Sequence, residues 1–199
     1  SHTVADGKAP LCGLPAMYAN AGDDVQTLEI TLEDKVGEMR LTLFYSVFYE
    51  LDIITRHAVF TNLSDEEAIL GAALSAAVDF DRADLDIITN YGTHCAERQI
   101  ERAPLRRGKT VLSSRRGASS HVHNPFLILC DSETSETAGS AYGLVLVYSG
   151  SFSASVEGTQ FGAARALIGL NPEGFGWMLE PGAAFTTPEA VLCFRRSEG

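Results

Sequence analysis

At 199 residues the chain lies within the range of one large domain, and 45% hydrophobic with 21% charged residues is the composition of a folding globular chain rather than a disordered one. Its formal net charge of -11 repels phosphate backbones and anionic bilayers, so it argues against nucleic acid and membrane partners and leaves neutral ligands such as sugars. No basic-then-apolar leader opens the chain and no apolar stretch approaches bilayer length, so a cytoplasmic protein is expected, with secretion left open.

The chain opens on SHTVADGKAPLCGLPAMY, in which GKAPLCGLP is rich in turn formers. Period-two runs follow. In VQTLEITLED, Leu28, Ile30 and Leu32 fall on one face and Thr27, Glu29 and Thr31 on the other, as a half-buried strand requires. EMRLTLFYSVFYE and ELDIITRHAVFTN continue in the same style.

SDEEAILGAALSAAV carries two signals. Ser64 and Glu67 have the spacing of a capping box before an alanine-rich run, which favours a helix. Leu74, Ala76, Val78 and Phe80 alternate against Ser75, Ala77 and Asp79, and amid so many strands we read this segment as a strand. Asp79 with Asp81, and Asp84 with Asp86, look like paired carboxylates on paper, but alternating aspartates around a strand end are ordinary turn chemistry.

Positive charge concentrates in Arg98, Arg102, Arg106, Arg107, Lys109, Arg115 and Arg116. It reads either as a solvated hairpin or as a set of guanidinium groups for carboxylates on another domain or subunit. RRGASSHVHNPFLILCD then packs serines, histidines and an asparagine before an apolar strand. Histidine titrates near neutrality, so His121 or His123, with a carboxylate such as Glu97, could serve proton transfer in a mutarotase-like reaction. On a strand, H-x-H would point both rings to one face. The simpler reading has Ser119, Ser120, His121 and Asn124 satisfying backbone groups at a turn before Pro125, and we favour it.

AYGLVLVYSG, SFSASVEG, ARALIGL, GWMLEP and EAVLCFRR complete a succession of short strands between Gly, Pro, Asn and Asp breakers, the pattern of a sandwich or barrel. Trp177, the only tryptophan, could stack on a sugar face, but a single tryptophan within an apolar strand reads more simply as a core residue. Cys12, Cys95, Cys130 and Cys193 are widely scattered without metal-ligand spacing, so reduced, partly buried thiols are expected and neither a metal nor a cofactor.

Taken together, GLPA (13–16), QTLEITLED (26–34), DIITR (52–56), RRGASSHVHNPF (115–126), YGLVLVYSGSF (142–152) and LNPEGFGWMLEPGAAFTTPEAVL (170–192) resemble the amino-terminal domain of glycoside hydrolase family 36 α-galactosidases. The resemblance covers nearly the whole chain. It implies an all-β, mostly antiparallel β-supersandwich like galactose mutarotase domains, residues 1–199 forming one such domain. A (β/α)8 catalytic barrel would follow residue 199, and additional strands usually precede the GLPA segment in the family.

Family members are retaining glycosidases, with one aspartate as nucleophile and another as acid/base. Those aspartates lie in barrel motifs, one beside a Lys-Trp pair, that have no counterpart here, so no catalytic residue is assigned. The resemblance implies a non-catalytic domain of an enzyme acting on terminal α-galactosides of the melibiose or raffinose type. The alternative is a self-contained sugar-binding or mutarotase-like module. The domain is expected to pack on its own barrel, to support a homo-oligomer, and to bring residues to the rim of an active site. YGTHCAER (91–98) matches a family stretch in which many members have Trp where His94 stands, with Glu97 and Arg98 retained. The candidate rim or interface residues are therefore His94, Glu97, Arg98, Arg116, His121 and Asn124.

Overall fold

The computed structural model describes residues 1–20 and 22–198, and it is built almost wholly of strands. In chain order these are β1 (His2–Asp6), β2 (Val25–Asp34), β3 (Met39–Phe48), β4 (Ile53–Asn62), β5 (Ala68–Leu70), β6 (Leu74–Phe80), β7 (Leu85–Thr93), β8 (Ala96–Pro104), β9 (Gly108–Ser113), β10 (His123–Asp131), β11 (Ala138–Val147), β12 (Phe152–Gly158), β13 (Ala164–Leu170), β14 (Trp177–Leu179), β15 (Ala184–Thr186) and β16 (Glu189–Glu198). A single 3-10 turn, Tyr49–Leu51, joins β3 to β4. The capping-box segment forms no helix: Ser64 instead closes a tight turn, its hydroxyl donating to the Asn62 side chain at 2.8 Å.

Ten strands make one sheet, in the order β1-β2-β3-β4-β16-β11-β10-β7-β8 with β15 added beside β4. β12, β13 and β6 form a second sheet in that order, and β14 pairs with β5. The strand ladders are antiparallel. Supersandwich architecture is thus as the alternating runs and the family resemblance implied.

The second sheet covers only one half of the first. Leu85, Ile87, Leu127, Leu129, Leu144 and Leu146 of the large sheet meet Phe152, Ala154, Val156, Ala166, Ile168 and Ala76 of the small one in a single buried cluster. Each large side chain so buried contributes roughly 1.5–3 kcal/mol. Small residues set the spacing: a Cβ on Gly169 would lie 2.6 Å from Leu74 Cα, so glycine there lets β13 and β6 approach at their irregular pair.

In the other half, β2 to β4 present two unlike faces. One carries Thr27, Ser46, Thr55 and His57, all buried, beside Glu189 of β16. The turn-rich segment from Gly7 to Asn20 lies over it. Ala9 N donates to Thr27 Oγ1 at 3.0 Å, Thr27 Oγ1 donates to Gly7 O at 2.7 Å, and Met17 N donates to Glu189 Oε2 at 2.7 Å. Lys8 Nζ lies 2.6 Å from Glu189 Oε1, with the two side chains 8% and 0% exposed. The opposite face carries Leu28, Ile30, Leu43, Tyr45, Val47 and Ile54, which are cross-strand neighbours by register and only half-buried or exposed.

Candidate functional site

Two of the segments singled out from the sequence meet at one end of the large sheet. β7 ends at Thr93 and β8 begins at Ala96, so His94 and Cys95 form a two-residue turn, with Cys95 at φ 64°. Its backbone N donates to Glu97 Oε1 at 3.0 Å. Pairing passes from Tyr91↔Gln99 to Thr93↔Ala96, which leaves Glu97 and Arg98 as a bulge opposite Gly92, with Arg98 at φ 59°.

Gly92 is the contact point. Its N donates to Val122 O at 3.0 Å, and a Cβ there would fall 2.7 Å from Glu97 Cα and 2.8 Å from His121 O. Only a residue without a side chain lets the 115–122 loop rest on the hairpin bulge. Ser120, at φ 66°, is the third left-handed non-glycine residue gathered here, and its Oγ accepts from Val122 N at 3.2 Å.

His94, Glu97, Arg98, Arg116 and His121 are exposed, and Asn124 is half-buried in β10. The expectation that His121 and His123 share a strand face is corrected, because residues 120–122 turn and β10 starts only at His123. His123 pairs with Tyr91, the rings 5.3 Å apart and edge-on. Burial pushes its imidazole below the usual histidine range, opposed by the charge of Glu101, and its Nδ1 is buried without a hydrogen-bond partner. A half-buried ring packed edge-on against a tyrosine is a structural element of the loop's base. The loop also holds to the far side, through Ser119 N to Ser149 O at 2.8 Å and Gly117 N to Ser151 Oγ at 2.9 Å.

Three of the four paired aspartates, Asp79, Asp84 and Asp86, contact arginines. Asp79 takes a bidentate contact from Arg165 at 2.6 and 2.9 Å, which holds its carboxyl below the usual range. Asp84 meets Arg82, and Asp86 meets Arg102 at 2.7 Å. Arg102 also donates to the carbonyls of Asp131, Ser132 and Thr134. That part of the basic run therefore ties the β7–β8 hairpin to the β10–β11 turn within the domain.

Beyond the 115–122 loop lies a cleft that the sequence reading did not assemble. Trp177 is 51% exposed, which corrects its reading as core. Among the described residues β14 pairs with the short β5, and Trp177 and Met178 stay exposed while Leu179 is buried. Phe185 lies 5.1 Å from the indole and Phe175 5.7 Å from Phe185. With Tyr148 and the Arg115–Glu173 ion pair at 2.6 Å they line an open cavity of about 500 Å³. The apolar triplet Trp177–Leu179 gave no sequence signal of this exposure.

The glycosyl hydrolase family 36 N-terminal domain family matches residues 1–180. The chain belongs to that family. This family 36 domain is 44% identical over 98% of its length to the α-galactosidase AgaA of Geobacillus stearothermophilus, and 42% identical over 98% to the bifunctional α-galactosidase/sucrose kinase AgaSK of Mediterraneibacter gnavus. It spans 27% and 21% of those proteins. The crystal structure of AgaA superposes on all of the domain with a TM-score of 0.97 at 43% identity, using 28% of that chain. The large homologues are thus enzymes of which this domain corresponds to about a quarter.

Proposed function

We propose that this domain is the non-catalytic amino-terminal part of a retaining α-galactosidase acting on terminal α-galactosides such as those of melibiose and raffinose. The observation that carries the reading is the 44% identity along 98% of the chain to an α-galactosidase of which it makes up 27%. Structures of that relative with stachyose and with raffinose support the substrate class. On this reading a (β/α)8 barrel supplies the two aspartates of the retaining mechanism. The domain packs on that barrel and supports a homo-oligomer, and the His94 turn with the His121 loop borders an active site. The apolar face of β2 to β4 favours a packing role, since contiguous exposed apolar area of this kind marks contact surfaces.

A domain exchange tests it. The corresponding segment of AgaA is replaced by this chain, and hydrolysis of a chromogenic α-galactoside is measured for the chimera and for the 199-residue chain alone. The expected result is a chimera within about tenfold of AgaA and no turnover by the chain. Turnover by the chain alone overturns the reading, and so does a chimera that folds to the same assembly as AgaA but hydrolyses nothing. Within an active chimera, His94→Trp is expected to change KM more than kcat if the turn borders substrate.

A further inference from the structure

We infer that the cleft between Trp177, Phe185, Tyr148, Arg115 and Glu173 is a carbohydrate-binding site of the domain itself, taking a galactose-terminated oligosaccharide. The sugar class rests on the function proposed above, whereas the cleft rests on geometry alone.

The exposed indole of Trp177 and the neighbouring Phe185 ring, 5.1 Å away, form an aromatic wall open to solvent. Aromatic side chains combine a large apolar surface with a defined shape, and a pyranose offers a matching face of C–H groups. In galactose the axial 4-hydroxyl leaves the hydrogens on C3, C4 and C5 together on one face, so the stacking surface is continuous. Beside the wall, Arg115 and Glu173 meet at 2.6 Å. A guanidinium and a carboxylate side by side supply donors and an acceptor at one place, as adjacent sugar hydroxyls require. The volume of about 500 Å³ falls within the roughly 300–1,000 Å³ of small-molecule pockets.

The site is held in shape before any ligand arrives. Asn171, buried at the base, donates through Nδ2 to Ser114 O at 3.1 Å and Phe152 O at 3.3 Å, and its Oδ1 accepts from Glu173 N at 3.0 Å. One side chain thereby fixes the strand end that carries Arg115 to the turn that carries Glu173 and Phe175. That turn closes through Phe175 N to Pro172 O at 3.2 Å. Tyr148 is fixed against Gly150, where a Cβ would lie 2.4 Å from its ring. Rigid placement of the binding groups lowers the ordering cost of association. The depression of Leu32, Leu41, Phe60 and Ile69 also holds an ion pair, Arg40 with Glu33 at 2.7 Å, but a single aromatic residue, Phe60, lines it in place of an aromatic wall.

Because Trp177 is the only tryptophan, its fluorescence reports on this cleft and on nothing else. The 199-residue chain is titrated with melibiose, raffinose and maltose. The expected result is a saturable change in emission with melibiose and raffinose at millimolar concentration, and a response to maltose at least tenfold weaker. Glu173→Gln and Arg115→Ala are each expected to raise the half-saturation at least tenfold with unchanged thermal unfolding, because an exposed ion pair contributes little to stability. Unmoved emission at 100 mM sugar overturns the site, as does an unaltered response in both variants. An equal response to maltose overturns its assignment to galactosides. None of these outcomes bears on the domain exchange, so the two proposals fail separately.

Discussion

Protonation of His57 weakens this domain in acid. The ring is 3% exposed, stacked on Phe44 with centroids 4.6 Å apart and planes within 11°, and lies under the Gly7–Asn20 segment beside Glu189. Burial lowers its pKa from 6.5 to about 4; the charge of Glu189 works against the shift and that of Lys8 adds to it. In the unfolded chain the imidazole protonates near 6.5, whereas the folded chain refuses the proton until about pH 4. The contribution to stability is therefore complete above pH 6.5 and is lost as the pH falls towards 4. At 1.36 kcal/mol per pH unit the loss by pH 4.5 is about 2.5 kcal/mol. Carboxylates held below their usual range, such as Asp79 beside Arg165, also act in acid, so a difference isolates the ring. Guanidinium unfolding followed by circular dichroism at pH 8, 6 and 4.5 is compared for the wild type and His57→Phe, which preserves the stack. The variant should lose about 2.5 kcal/mol less than the wild type between pH 8 and 4.5. Equal losses in the two proteins would refute the account, because the ring would then take up its proton without opening the fold.

Two further substitutions test the contacts that hold the candidate regions. Gly92→Ala should cost about 2 kcal/mol in urea unfolding, since its Cβ meets backbone atoms of Glu97 and His121 on both sides at 2.7 and 2.8 Å; a neutral result would mean that the hairpin and the loop are not in contact. Lys8→Met leaves the fully buried Glu189 without its cation and should destabilise by about 3–5 kcal/mol. Lys8→Met with Glu189→Gln together should recover more than half of that loss, which a double-mutant cycle reads directly.

The strands most legible in the sequence are those with a strong apolar signal: β2 by its alternation, and β10 and β11 as continuous apolar runs that meet the core on one face and sheet neighbours on both edges. β8 lacks such a signal, since AERQIERAP is exposed along its whole length. It is the last strand of the sheet, and charged residues on an edge strand block pairing with other chains without leaving a hydrophobic period to read. The joining of His94–Arg98 to His121 was legible only as two separate segments, because it depends on Gly92 lacking a side chain. The cleft was hidden for a different reason. Its residues come from positions 115, 148, 173, 177 and 185, and the last three sit on short strands and turns whose exposure follows from what does not cover them. A tryptophan in an apolar triplet carries no sign of that.

The two faces of β2 to β4 reverse the usual allocation of polarity. In an ordinary sandwich half the polar side faces water and the apolar side is covered. Here the polar side is covered, and its groups are satisfied one by one. Thr27 gives its proton to Gly7 O, so the 2.8 Å contact with Ser46 has the Ser46 hydroxyl as donor. Glu189 holds Met17 N and Lys8. Leu28, Ile30, Leu43 and Tyr45 meanwhile meet chiefly one another along the strands, with Arg56 set 5.2 Å over the Tyr45 ring. The stability of this half therefore depends on hydrogen bonds and one ion pair from the Gly7–Asn20 segment more than on apolar burial. Those contacts connect positions far apart in the chain, Met17 and Glu189 above all, so releasing one of them frees the segment as a unit. Opening should begin there, and the Leu127–Ile168 cluster in the other half should hold after it. Hydrogen exchange will show the order, with amides of β2 and β3 exchanging before those of β10 and β12.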